Sequence, residues 1–232
     1  LKYFPLTADK NYIDINVTGD VGDAYSVVWQ RTIDTTNNLK ASLQKASTYL
    51  GYANISARPS LFYNILDIKK YEEAVPTKNT PVLRYPDYSQ ILNRENICNY
   101  VENQGVREVW LFAYSGPAKA DGAPYLNGAE SKMAGPNGDI SNSARYNDMP
   151  LCAKTYRVYT FNYGRGTAEA MESWGHQMEA ELDAISQPLF RNIFQGPNYP
   201  QTLSVIGRCG SVHNPPNARN EYDRVNPISQ QS

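Results

Sequence analysis

Val106-Arg107-Glu108-Val109-Trp110-Leu111-Phe112-Ala113-Tyr114 is the most apolar run of the chain. A short apolar segment of this length, rich in branched and aromatic residues, reads as a central strand. Strands covered on both faces lose the polar alternation that marks half-exposed ones. Just upstream, Asp87 can cap a helix over 88–104, with Ile91, Ile97, Cys98 and Val101 on one side and Gly105 as its terminator. Just downstream, 155–163 is a second strand. Gly164-Arg165-Gly166 turns it into a helix over 167–185, which Pro188 stops.

Farther out, Trp29, Ile33, Leu39, Leu43, Ala46 and Leu50 recur at helical steps across 24–50, and Gly51 follows. The aromatic and branched run 60–68 predicts a strand, and 202–206 a short last one. Between 115 and 154 there is no periodicity, only turn residues such as Asn127-Gly128 and Asn137-Gly138. A stretch of that length inside a domain is expected to be functional, and Tyr125, Met133, Ile140, Tyr146, Met149 and Leu151 can pin it down.

Strands alternating with helices predict an α/β fold with an at least partly parallel sheet and flanking helices. The 232 residues suit one domain over 1–232, with 115–154 as a long ordered loop. Open α/β sheets bind ligands where loops diverge from the carboxyl ends of the strands. The 115–154 loop, the 164–166 turn and the 207–220 loop are therefore expected at one crevice, gathering Glu130, Arg165 and His213.

A formal net charge of -1, with 22 Lys and Arg against 23 Asp and Glu, lacks the basic excess of nucleic-acid binders. No apolar stretch approaches the roughly eighteen residues needed to span a bilayer. The first residue is Leu1 rather than Met, which suggests a processed form or an excised domain. Eighteen Tyr, abundant Asn and the sequons Asn16-Val17-Thr18 and Asn54-Ile55-Ser56 lean toward a secreted glycoprotein. Of the three cysteines, Cys98 reads as a buried small hydrophobe on its helix. Cys152 and Cys209, both near loops, are the favoured pair if a bridge forms.

The chain has only two histidines, each in a distinctive setting. Imidazole is both a metal ligand and a proton shuttle near neutral pH. In the 167–185 helix, Met171, Met178, Leu182 and Ile185 form an apolar stripe expected to face the core. Glu172, His176, Glu179 and Asp183 follow at steps of four, three and four. A His and a carboxylate three or four apart project from one face and can share a metal; the same spacing also describes a solvated flank. The pattern is neither His-Glu-x-x-His nor His-x-x-Glu-His, so further ligands must come from elsewhere, with His213 or Glu130 as candidates. His213 precedes Asn214-Pro215-Pro216-Asn217, whose prolines limit the freedom of the loop and suit a ligand, a general base or a structural His bonded to loop carbonyls.

Other chemistries find less support. Asp139, Asn137 and Asn142 could offer oxygen ligands to calcium, but EF-hand spacing is missing. A dinucleotide fingerprint would want Gly where Glu169 stands. Ser115-Gly116 is no nucleophile elbow, and Cys209 four residues before His213 matches no thiol-protease signature.

Three blocks together resemble an uncharacterised group of predicted secreted proteins. They are Glu130-Ser131-Lys132-Met133-Ala134-Gly135-Pro136 with Gly138-Asp139-Ile140-Ser141-Asn142-Ser143, Asn162-Tyr163-Gly164-Arg165 with Gly175-His176-Gln177-Met178-Glu179, and Cys209-Gly210-Ser211-Val212-His213-Asn214-Pro215-Pro216-Asn217. The likeness spans about residues 85–226. It implies export and a single domain, and it carries no catalytic assignment.

The sequence therefore predicts a secreted metal-dependent hydrolase acting on an extracellular polymer or a small molecule. A divalent ion, zinc before calcium, would be held by His176, His213 and a carboxylate from Glu179 or Glu130. Arg165 would steady an anionic intermediate, and the remaining Glu would move protons. The competing expectation is a non-enzymatic extracellular module in which Tyr and Asn residues, with Trp110 and Trp174, form a glycan-binding or assembly surface.

Overall fold

In the computed structural model, the expected central strand is Glu108–Ala113, hydrogen-bonded in parallel to Tyr156–Asn162 over its whole length. The structure describes residues 1–48, 53–79, 84–116, 131–141, 147–195 and 211–212. Along the chain the strands are β1 (Lys2–Tyr3), β2 (Lys70–Tyr71), β3 (Thr77–Asn79), β4 (Arg84–Pro86), β5 (Glu108–Ala113), β6 (Ser131–Gly135), β7 (Gly138–Asp139) and β8 (Tyr156–Asn162). The helices are α1 (Ile15–Thr18), α2 (Tyr25–Ala46), α3 (Tyr88–Arg94), α4 (Ile97–Asn103) and α5 (Thr167–Pro188). A π-helical stretch, Leu189–Gln195, follows α5. The main sheet runs β2-β1-β5-β8-β6-β7. It is parallel from β2 to β8 and antiparallel at β6 and β7, and β3 and β4 form a separate hairpin. This is the predicted α/β fold.

Register sorts the two faces. Glu108, Trp110 and Phe112 lie beside Arg157, Tyr159 and Phe161, with Ser131 and Met133 completing the row. α2 and α5 cover this face: Lys2 Nζ donates to Thr32 Oγ1 at 3.0 Å and sits 4.9 Å from the Trp29 ring, and Arg157 is bonded to Glu181. The opposite face carries Val109, Leu111, Val158, Thr160 and Lys132 beneath α3, where the Tyr88 and Thr160 hydroxyls meet at 2.8 Å. Lys132 is fully buried there, paired with Asp148 at 2.6 Å and 5.2 Å from the Tyr88 ring. A buried charge requires such a partner.

Several expectations are corrected. The 88–104 helix is two helices, broken at Glu95 and Asn96, with Asn96 left-handed at φ 50. The Glu95 carboxylate is buried and binds Lys69 at 2.7 Å and the Tyr71 hydroxyl, so a tertiary contact with the sheet edge sits at the break. Run 60–68 is not a strand, because the place beside β1 is taken by Lys70 and Tyr71. Its Phe62 is 71% exposed.

The 115–154 stretch is not structureless, since β6 and β7 form a hairpin around Pro136-Asn137. β6 is buried on both sides, which removes the alternation that would have marked it. The bridge joins Cys98 to Cys152, not Cys152 to Cys209, tying α4 to the segment before β8. Cys98 is thus a disulfide half rather than a free hydrophobe. The short strands β1 and β2 carry no sequence pattern of their own. The expected strand 202–206 and the cysteine at 209 lie outside the described residues.

Candidate functional site

α5 starts where β8 ends. Glu169 Oε2 accepts from the Gly166 main-chain N–H at 3.2 Å, so an acidic residue closes the first turn where the helix dipole favours it. The stripe facing the sheet is Ala170, Ser173, Gln177 and Glu181, not the apolar stripe expected there. Met171 is 36% and Ile185 79% exposed. The reason lies underneath: α5 covers charged and phenolic groups of the sheet, and polar side chains are needed to satisfy them.

Arg157 donates through Nε to Glu181 Oε1 at 2.5 Å and through Nη2 to Glu181 Oε2. Gln177 Nε2 donates to the Ile140 carbonyl at 2.7 Å, pinning α5 to the β6–β7 hairpin. Glu108 accepts from Trp110 Nε1 at 2.9 Å and from the Tyr63 hydroxyl at 3.1 Å. Burial pushes the Glu108 carboxyl above its usual range, opposed by these donors and by Arg157. Burial, aided by the Glu108 charge, pushes the Tyr159 phenol well above its ordinary value. Bonding to Glu181 holds the Arg157 guanidinium firmly charged. Trp110 and Trp174 are partly buried and pack against the core beside this cluster.

The outer flank of the same helix is different. His176 lies between two carboxylates one turn away on either side. Its Nε2 is 3.7 Å from Glu172 Oε1, and its Nδ1 is 3.4 Å from Glu179 Oε2. All three side chains keep about a quarter of their surface, at 24%, 23% and 23% exposure. The second oxygen of Glu179 accepts the Val212 main-chain N–H at 2.7 Å. Val212 also lies across Gly175, where a Cβ would meet Val212 Cγ2 at 2.7 Å. The sequence held a sign of this seat, because a glycine inside a helix costs about 1 kcal/mol and usually has a packing reason.

Arg165 is exposed in the turn before α5, its main-chain N–H bonded to the Asn162 carbonyl at 3.0 Å. Nine helical residues, about 14 Å of axis, separate the start of α5 from His176. Arg165 therefore belongs to the sheet edge, where Asn162 Nδ2 donates to Ser115 Oγ at 2.7 Å and to Asp20 Oδ2 at 3.1 Å. Asn162 Oδ1 in turn accepts from Gly164 N at 2.7 Å, and the cluster is self-satisfied. Asp139, proposed for calcium, spends its oxygens on Ser141 Oγ and on the Asn147 N–H at 3.0 Å, closing its own loop. Cys98, Glu102 and Cys152 converge within 4.8 Å, yet the two sulfurs are bonded to each other and offer no thiolate. Glu130 and His213 lie outside the described residues, and so does Asn142. Among the described residues, no helix is long and apolar enough to cross a membrane.

Comparison with protein-family models, with curated proteins and with solved structures finds no match to this chain.

Proposed function

We infer that the chain is a secreted metal-dependent hydrolase with its centre on the outer flank of α5. The single observation that carries this reading is the placement of His176 between Glu172 and Glu179. Two ligand atoms each about 2.0–2.1 Å from a tetrahedral zinc lie roughly 3.4 Å apart, and the His176 Nε2 to Glu172 separation is close to that edge. In this arrangement Nε2 faces the ion and Glu172 stands beside it. Glu179, first assigned to the ligand set, moves behind the ring to Nδ1, the supporting role that carboxylates take in zinc sites.

His213 is the proposed further ligand. Its chain neighbour Val212 is seated on Glu179, which favours that role. The ion would acidify a bound water and polarise an ester, amide or glycosidic centre. Glu130 is the proposed proton carrier, while Arg165 would act on substrate entering from the sheet edge. The disulfide between Cys98 and Cys152 supports an oxidising compartment and hence export.

The test is metal analysis after exposure to zinc and desalting, on the native chain and on His176→Ala. About one zinc per chain, lost in the variant with unchanged circular dichroism, supports the reading. A native chain without zinc, or zinc retained undiminished in the variant, overturns it.

A further inference from the structure

We propose that the main-chain N–H of Val212 and the notch at Gly175 are positioning elements of the His176 centre, a role whose functional meaning rests on the hydrolase reading. Val212 N donates to Glu179 Oε1 at 2.7 Å, leaving Oε2 at 3.4 Å from His176 Nδ1. A carboxylate with both oxygens engaged in different directions cannot rotate freely. The fixed carboxylate favours a proton on Nδ1, and Nε2, which faces Glu172 at 3.7 Å, is the nitrogen assigned to the ion.

The seat depends on a missing side chain. On α5, Gly175 and Glu179 are four residues apart and therefore stacked on one side of the helix. Val212 Cγ2 fills the space above Gly175, 2.7 Å from where a Cβ would stand, whereas Val212 Cβ and Cγ1 are both 3.9 Å away. Real Cβ atoms do not approach that closely, so alanine at 175 must turn the Val212 side chain from its seat, displace Val212 or shift the helix. The glycine is costly in a helix interior, and the clasp explains its presence. The clasp fixes a charged group by a hydrogen bond from the main chain.

Because the chain contains only two histidines, comparison with His213→Ala assigns the imidazole nitrogen resonances of His176. The experiment uses the full chain, treated with a chelator, and measures two quantities by NMR. These are hydrogen exchange at the residue 212 amide and the His176 nitrogen shifts that report its tautomer.

Gly175→Ala is expected to accelerate residue 212 exchange at least about tenfold and to remove the Nδ1–H preference, with the α5 amides around Gln177 unchanged. Val212→Ala in the same chain removes the clashing Cγ2 and should restore both to within about threefold. Glu179→Gln keeps an oxygen for the amide but loses the charge at Nδ1, so protection should persist while the tautomer preference is lost. Unchanged exchange and tautomer in Gly175→Ala, or failure of the double variant to restore them, overturns the proposal. Neither readout involves metal or substrate, so a negative zinc result and a negative clasp result remain separate.

Discussion

Two glutamates on α5, two residues apart, live under opposite conditions. Glu181 points inward, where Arg157 takes both of its oxygens and its residue is only 7% exposed. Glu179 points outward with 23% of its side chain exposed, one oxygen on a main-chain N–H and the other facing an imidazole. The inner carboxylate belongs to a saturated ion pair and has no capacity left for chemistry. The outer one is held in place yet still directed at a titratable ring. A charged group serves stability when its bonds are all made inside, and serves a site when one direction is kept for something else.

Alkaline titration should give the largest contrast. Burial raises the phenols of Tyr156, Tyr159 and Tyr163 well above their ordinary value near 10. The folded state then keeps these protons where the unfolded chain loses them. Their contribution is complete below about pH 10 and falls above it, by up to about 1.4 kcal/mol per pH unit for each phenol. The chain has 18 Tyr, and exposed ones such as Tyr12 ionise without unfolding. The later part of the tyrosinate absorbance should therefore rise together with the loss of circular dichroism, and complete ionisation of all phenols in a still-folded chain would show a wetter interior.

Glu181→Ala strands the Arg157 charge beneath α5 and should cost about 3–5 kcal/mol in denaturant melts. Cys98→Ser opens a loop with a sequence separation of 54 residues, and the loss should be roughly 2–4 kcal/mol. On the outer flank, Glu179→Ala should cost only about 1 kcal/mol. His176→Ala should stay within about 0.5 kcal/mol while abolishing zinc retention. If the outer substitutions destabilised the chain as much as Glu181→Ala, the distinction between the two faces of α5 would fail.

Much of the frame could be read from residue pattern. β5 and β8 are long enough and apolar enough to declare themselves, and α2 and α5 follow from spacing, but not their ends: α2 stops at Ala46, short of Gly51, and α5 breaks at Ser186 and runs on through Pro188. Glu172, His176 and Glu179 were legible as neighbours because helical geometry alone puts residues three and four apart on one side. The inner face of α5 was not legible. Its polar stripe is explained only by Arg157, which reaches it from a strand 24 residues away in sequence. β6 was hidden because burial on both faces leaves no period. The disulfide was misassigned because loop proximity in sequence says nothing about which α-carbons approach.

Sequence by itself determined the alternation of strands and helices and the imidazole flanked by acids, since each depends on contacts within a few residues. Tertiary structure decided which side of α5 is buried, which cysteines join and why residue 175 has no side chain. Those outcomes depend on which surfaces meet, and the meeting surfaces come from parts of the chain that local pattern cannot relate.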